Sequence, residues 1–114
     1  MTREYLLPYP PSVNRYWRHV GSRILVSREG RRYRSTVRLL LAGTRPLAGR
    51  LRVEVTLFPP DRRRRDLDNA LKGLLDSLAD AGAYLDDSQI DELHVRRGEV
   101  VDGGSARIWI REIG

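Results

Sequence analysis

The chain has no cysteine, one methionine, one phenylalanine and, among its 21 basic residues, a single lysine. The missing cysteines exclude a disulfide framework, a thiol nucleophile and any cysteine-ligated zinc site. No apolar run approaches the ~20 residues of a membrane-spanning helix. Met1 to Pro11 contains Arg3 and Glu4 and no apolar core, so it does not read as a secretory leader. These absences predict an intracellular, cytoplasmic protein. The remainder, 114 residues at 40% hydrophobic and 32% charged, suits one globular domain spanning residues 1–114.

Charge narrows the partners. The formal net charge is +6 at pH 7, which favours a polyanion, most often nucleic acid. Twenty of the basic residues are arginine and the lysine is Lys72. The plainer reading of that ratio is a GC-rich coding bias. It also makes the one surviving lysine conspicuous, because an ammonium is a compact charge able to lose its proton and a guanidinium is not.

Periodicity predicts the elements. Tyr5 to Leu7 reads as a short strand, Pro8 to Ser12 as an extended turn and Arg23 to Val26 as a second strand. Tyr33, Val37, Leu40 and Leu41 form the apolar stripe of a helix from about Arg28 to Ala42, capped by Ser27 and stopped at Gly43. Its other face carries Arg31, Arg34 and Arg38. Leu51, Val53, Val55 and Leu57 alternate with polar residues in a strand ended by Pro59-Pro60. A second helix runs from about Asp68 to Ala81 along Leu67, Leu71, Leu74, Leu75 and Leu78, ending at Gly82. Ile90 to Val95 and Arg107 to Ile113 read as a final strand pair joined by a hairpin loop at Gly103-Gly104. The fold class expected is α+β: a single small domain with a mixed sheet packed against two main helices.

Residues 62–89 hold the candidate chemistry. Asp66 and Asp68 flank Leu67 at the mouth of the second helix, and in an extended lead-in positions i and i+2 point the same way. Lys72 shares the helical face of Asp68, with Asp76 one turn further. Asp86 or Asp87, on a later turn, can add a third carboxylate. Like charges held together repel, and a cation removes that cost. All-oxygen sites suit Mg²⁺ or Mn²⁺, which fits phosphodiester hydrolysis. Plainer readings stand beside these. Asp66 or Asp68 can be a helix cap, Asp86-Asp87-Ser88 a turn, and Lys72 an i,i+4 partner of Asp68 worth ~0.2–0.5 kcal/mol. Arg62 to Arg65 can be a solvated basic run, or a phosphate clamp beside the carboxylates. His19 and His94 fit no ligand spacing.

The run Arg62 to Asn69, with Lys72, Asp76, Gly82 and Leu85-Asp86-Asp87-Ser88-Gln89, resembles the RusA family of Holliday-junction resolvases, as does Pro10 to Trp17. The resemblance covers nearly the whole chain. It implies a homodimeric Mg²⁺-dependent endonuclease (Mn²⁺ substituting) that cuts four-way DNA junctions by paired symmetric nicks in recombination and repair, in bacteria, phages or prophages. It further implies branched DNA as partner, not a membrane or small molecule, and a nucleoid-associated place in the cytoplasm. The family's metal site falls on Asp66, Asp68 and Asp87, its essential lysine on Lys72, and its preceding basic residue on Arg65. Asn69 would orient a carboxylate or meet phosphate. Arg62, Arg63, Arg64 and Arg65, with Asn14, Arg15 and arginines of the first helix, would contact DNA. Tyr16 and Trp17 would either stack on the junction core or anchor packing. Two other readings stay open: a metal nuclease for other branched DNA, and a basic DNA-binding module without catalysis.

Overall fold

The computed structural model of the chain describes residues 2–114. In order, the elements are β1 (Thr2–Leu7), α1 (Val13–Tyr16), β2 (Trp17–Val20), β3 (Arg23–Val26), α2 (Arg28–Leu40), β4 (Arg50–Phe58), α3 (Leu67–Asp80), a 3-10 turn (Asp87–Gln89), β5 (Ile90–Arg97) and β6 (Ser105–Ile113). β2 and β3 form a separate hairpin, and the other four strands form a mixed sheet in the order β1-β6-β4-β5. The α+β class with a mixed sheet and two main helices is therefore the observed one. Among the described residues, no helix is long and apolar enough to cross a membrane.

The core follows the strand alternation. Leu51, Val53, Val55 and Leu57 of β4 and Ala106, Ile108 and Ile110 of β6 are buried. They pack in one cluster with Tyr33, Val37 and Leu41 of the α2 region and Leu74 and Leu78 of α3. At roughly 1.5–3 kcal/mol per fully buried large aliphatic side chain, this layer supplies most of the stabilisation. The stripe of α2 is narrower than the sequence predicts: Tyr33, Val37 and Leu41 are buried at i+4 spacing, whereas Leu40 is 55% exposed. Ser27 caps α2, its hydroxyl accepting from the Gly30 amide at 3.0 Å. Gly82, at φ +88, ends α3 with the Ala83 amide donating back to Leu78.

The predicted hairpin between the last two strands does not form. β5 runs parallel to β4, and β6 pairs antiparallel with β4 on its other side. The link between them crosses the end of β4, where the Gly98 amide donates to Leu57 and the Val101 amide to Pro59. Composition explains the order. The apolar strands β4 and β6 take the centre, and β5, with Asp91, Glu92, His94, Arg96 and Arg97 exposed, takes the edge. The β4–α3–β5 unit is the parallel connection that a crossover helix requires, and it brings the Asp87 turn back beside α3.

Candidate active site

Asp66 holds the cap position of α3, yet its side chain makes no cap hydrogen bond. Asp68 and Lys72 lie exposed on the next turns. None of the three is engaged in an ion pair among the described residues, so the Asp68–Lys72 helix pair is not formed. The two later carboxylates divide the work between them. Asp86 accepts from the Ser88 amide at 2.9 Å and completes a capping box with Gln89. Asp87 turns inward, and its Oδ1 is buried without a hydrogen-bond partner. Burial pushes the Asp87 carboxyl above the ordinary carboxylate range; the Tyr84 hydroxyl opposes this, Asp76 and Asp86 add to it, and Lys72 opposes it. Tyr84, fully buried, donates to the Leu75 carbonyl at 2.7 Å and forms part of the wall behind Asp87.

Gln89 sets the turn, a role nothing in the local sequence announces. Its amide nitrogen donates to the Leu47 and Gly49 carbonyls, both at 2.9 Å. Its oxygen accepts from the Leu85 and Asp86 amides at 2.7 and 2.8 Å. With all four bonds inside the protein, the Asp87 turn is fixed to the segment leading into β4.

The arginine run is less uniform than its sequence suggests. Asp61 gathers two of the four arginines. Arg65 donates to Asp61 at 2.6 Å, the Arg63 amide donates to the same carboxylate at 2.9 Å, and the Arg63 guanidinium at 3.2 Å. These donors, Arg65 first, hold the Asp61 carboxyl well below the usual carboxylate range. Arg65 also lies over the Tyr9 ring at 5.9 Å, and Arg97 donates to its carbonyl. Arg65 is thus a builder of the loop. Arg62 and Arg64 are exposed and engaged in no ion pair among the described residues.

Between the proline loop, α2 and this run lies a groove with a cavity volume of ≈ 680 Å³. Arg15, Arg32, Arg63, Arg64, Asp66 and Asn69 reach it. Asp68, Lys72 and Asp87 do not line it, nor do Asn14 and Arg62. The first helix contributes differently from expectation. Arg34 and Arg38 are not available to phosphate, because Arg34 pairs with Asp76 and Arg38 with Asp80 at 2.7 Å. Arg31 donates to the Val26 carbonyl at 2.9 Å. Arg32 is the α2 arginine that lines the groove, beside Glu29, Tyr33 and Thr36.

Tyr16 is likewise no stacking platform. It is fully buried, and its hydroxyl bonds Asp76, Arg34 and Ser77. Trp17 meets its ring edge-on at 5.0 Å. Gly30 and Gly73 make the space: a Cβ at Gly73 would lie 2.8 Å from Tyr16 Cδ1, and one at Gly30 would lie 2.6 Å from the Tyr16 carbonyl oxygen.

Among the described residues, no three acidic or histidine side chains are gathered tightly enough to hold a metal ion. The donors are nevertheless of the right kind. Asp66, Asp68 and Asp87 are all-oxygen ligands, two of them unengaged and one carrying an orphaned buried oxygen, which suits a hard divalent cation. The unpaired carboxylates at the helix mouth thus border a groove lined by several arginines.

Comparison with known proteins makes the class specific. Endodeoxyribonuclease RusA, as a family, matches residues 8–111. The chain is 47% identical over 113 residues to the crossover junction endodeoxyribonuclease of Enterobacteria phage HK97, covering 96% of this chain and 94% of that protein. It is 40% identical over 116 residues to those of Enterobacteria phage 82 and Escherichia coli strain K12, covering 99% of this chain and 97% of each. The chain belongs to the RusA family of endodeoxyribonucleases.

Proposed function

We propose that this protein is a metal-dependent endonuclease that resolves four-way DNA junctions, working as a homodimer that makes paired, symmetric nicks in the cytoplasm, at the nucleoid. Beyond family membership, the observation that carries the reading is Asp87. A carboxylate oxygen buried without a partner is costly, and Asp87 feels the charge of Lys72, which stands on the helix whose first turn carries the unengaged Asp66 and Asp68. Asp66, Asp68 and Asp87 would hold Mg²⁺, or Mn²⁺ in its place. Such an ion, when bound, supplies Lewis acidity at the phosphoryl group and lowers the pKa of a bound water. Lys72 stabilises negative charge developing on the cleaved phosphate. Asn69 and Asp66, shared between the groove and the helix mouth, set the register of the DNA backbone. Arg15, Arg32, Arg62 and Arg64 neutralise phosphates. A junction has approximate two-fold symmetry, and a C2 dimer places one site on each of two opposed strands.

The test is strand-mapped cleavage of a synthetic junction in Mg²⁺ and in EDTA, beside a linear duplex of the same sequence. Paired symmetric cuts on the junction alone, and only with metal, are expected. The Asp68→Asn variant is expected to bind the junction at least as tightly as the parent and to leave it uncut. Tight binding with no cut by the parent in Mg²⁺ or Mn²⁺ would replace this reading with a basic DNA-binding module. Equal cutting of flaps and forks would broaden the substrate to branched DNA.

A further inference from the structure

The β2–β3 hairpin belongs neither to the four-stranded sheet nor to the lining of the groove. Its base is locked. The Ser27 amide donates to the Tyr16 carbonyl at 2.8 Å, and Val26 packs so closely on α2 that a Cβ at Gly30 would lie 2.7 Å from Val26 Cγ1. Beyond that base every residue from Arg18 to Ile24 is exposed. Val20 and Arg23 pair across the two-residue turn Gly21-Ser22, and Gly21 stands at φ +61. A glycine of positive φ at that position suits a primed hairpin turn, whose twist matches that of its strands. The hairpin is therefore a defined ribbon, about 13 Å long for its four-residue strands.

Register gives the ribbon two faces. Arg18 with Leu25, and Val20 with Arg23, stand on one; Trp17 with Val26, and His19 with Ile24, stand on the other. The first face carries two guanidinium groups. The second runs outward from the anchored Trp17 and Val26 to His19 and to Ile24, which is 61% exposed.

Charge says what the ribbon meets. From Tyr5 to Arg28 the sequence holds four arginines and no acid. Arg18, Arg23 and Arg28 are exposed and engaged in no ion pair among the described residues. Arg15, two residues before the hairpin, lines the groove, so the positive surface of the groove continues onto the ribbon. The segment is also seated on the helix that carries Lys72: Tyr16 fills the space over Gly73, the next residue. A polyanion fits such a surface, and a two-stranded ribbon is of a size that a DNA groove admits. Arginines alone would hold any phosphate backbone. Ile24 gains nothing from phosphate. Its counterpart in DNA is the face of a base, which a continuous duplex hides by stacking and a branch point lays open.

We propose that the β2–β3 hairpin is the element that reads the branch: Ile24 and His19 lie against the base pairs exposed at the centre of a branched DNA, and Arg18 and Arg23 hold the phosphates of the adjoining arm. The proposal rests on the reading above that the substrate is branched DNA. It assigns discrimination between junction and duplex to residues outside the carboxylate site.

The test is binding of the full chain in EDTA, where no cleavage intrudes, to a synthetic four-way junction and to a linear duplex of the same sequence. Ile24→Ser is expected to weaken junction binding about tenfold, the scale of one lost base contact, and to leave duplex binding and circular dichroism unchanged. Ile24→Phe is expected to keep the junction preference. Arg18→Ala with Arg23→Ala is expected to weaken both and to lower the slope of log K against log salt by about 1.8, two phosphate contacts. A parent that prefers the junction, with that preference intact in Ile24→Ser, overturns the ribbon's role alone. A parent that binds junction and duplex alike overturns the branched-DNA reading and the ribbon's role with it. A solution mass that differs between Ile24→Ser and the parent makes the ribbon a contact between protein chains and overturns the proposal as well.

Discussion

At the residue scale, Asp87 and Asp61 are opposite solutions to one problem. Asp87 keeps an oxygen unsatisfied in a half-buried place; Asp61 spends its whole carboxylate on arginines. Asp87→Asn removes a carboxylate charge that burial disfavours and should therefore raise stability in EDTA while abolishing cleavage. Urea unfolding in EDTA and in Mg²⁺ checks this, and the gain should vanish when the parent is given metal. For Asp61 the sign runs the other way. Its carboxyl is held low in the folded protein, so its contribution is present above the ordinary carboxylate pKa and lost only as pH falls through the depressed value. The Arg63 amide, bonded to Asp61 at 2.9 Å, should keep its chemical shift as pH drops through 4, when ordinary carboxylates protonate. A shift that tracks an ordinary aspartate would show that the loop does not hold.

Elements carry the next set of consequences. The Ser27 cap, the Gly82 stop and most of the apolar stripes of α2 and α3 are legible, since they act through local geometry, whereas the exposure of Leu40 and the unbonded side chain of Asp66 are not. α1 and β2 were not, because four-residue elements generate no periodicity. Nor was the strand order, which is decided by competition for the sheet centre between distant segments. At the site, the sequence presents Asp66, Asp68, Lys72 and the Asp86-Asp87 turn as candidates. It does not show that Asp86 caps the turn while Asp87 points inward, because that depends on Gln89 reaching Leu47 and Gly49. The alternation of Gly30 and Gly73 around Tyr16 gives an element-scale prediction. Gly73→Ala gains roughly 1 kcal/mol of helix propensity but drives a Cβ to 2.8 Å from a ring that is bonded at its far end. Overpacking of this kind costs typically 1–3 kcal/mol, so a net loss of about 1 kcal/mol is expected. The urea midpoint reads it directly, and an unchanged midpoint would mean that the ring can move.

Across the whole molecule, charge is sorted. Four arginines in a row look alike in sequence, yet two are tied to Asp61 and two face solvent. Salt dependence of junction binding separates them. Arg64→Ala should lower the slope of log K against log salt by about 0.9, the loss of one phosphate contact. Arg65→Ala should instead disturb the Tyr9 and Asp61 contacts and raise protease sensitivity of the loop. Equal slopes for Arg64→Ala and the parent would remove Arg64 from the DNA path.

The central place of β6 governs the order of events as the polypeptide is made. β6 is the last strand in sequence, yet it joins β1 to β4, with Thr2 paired to Arg111 and Arg50 to Ile113. Until it leaves the ribosome, β1 has no neighbour and β4 lacks one of its two. The carboxylates of the candidate site are synthesised earlier but have no completed sheet beneath them. A nascent or prematurely terminated chain is thus a nuclease in sequence only.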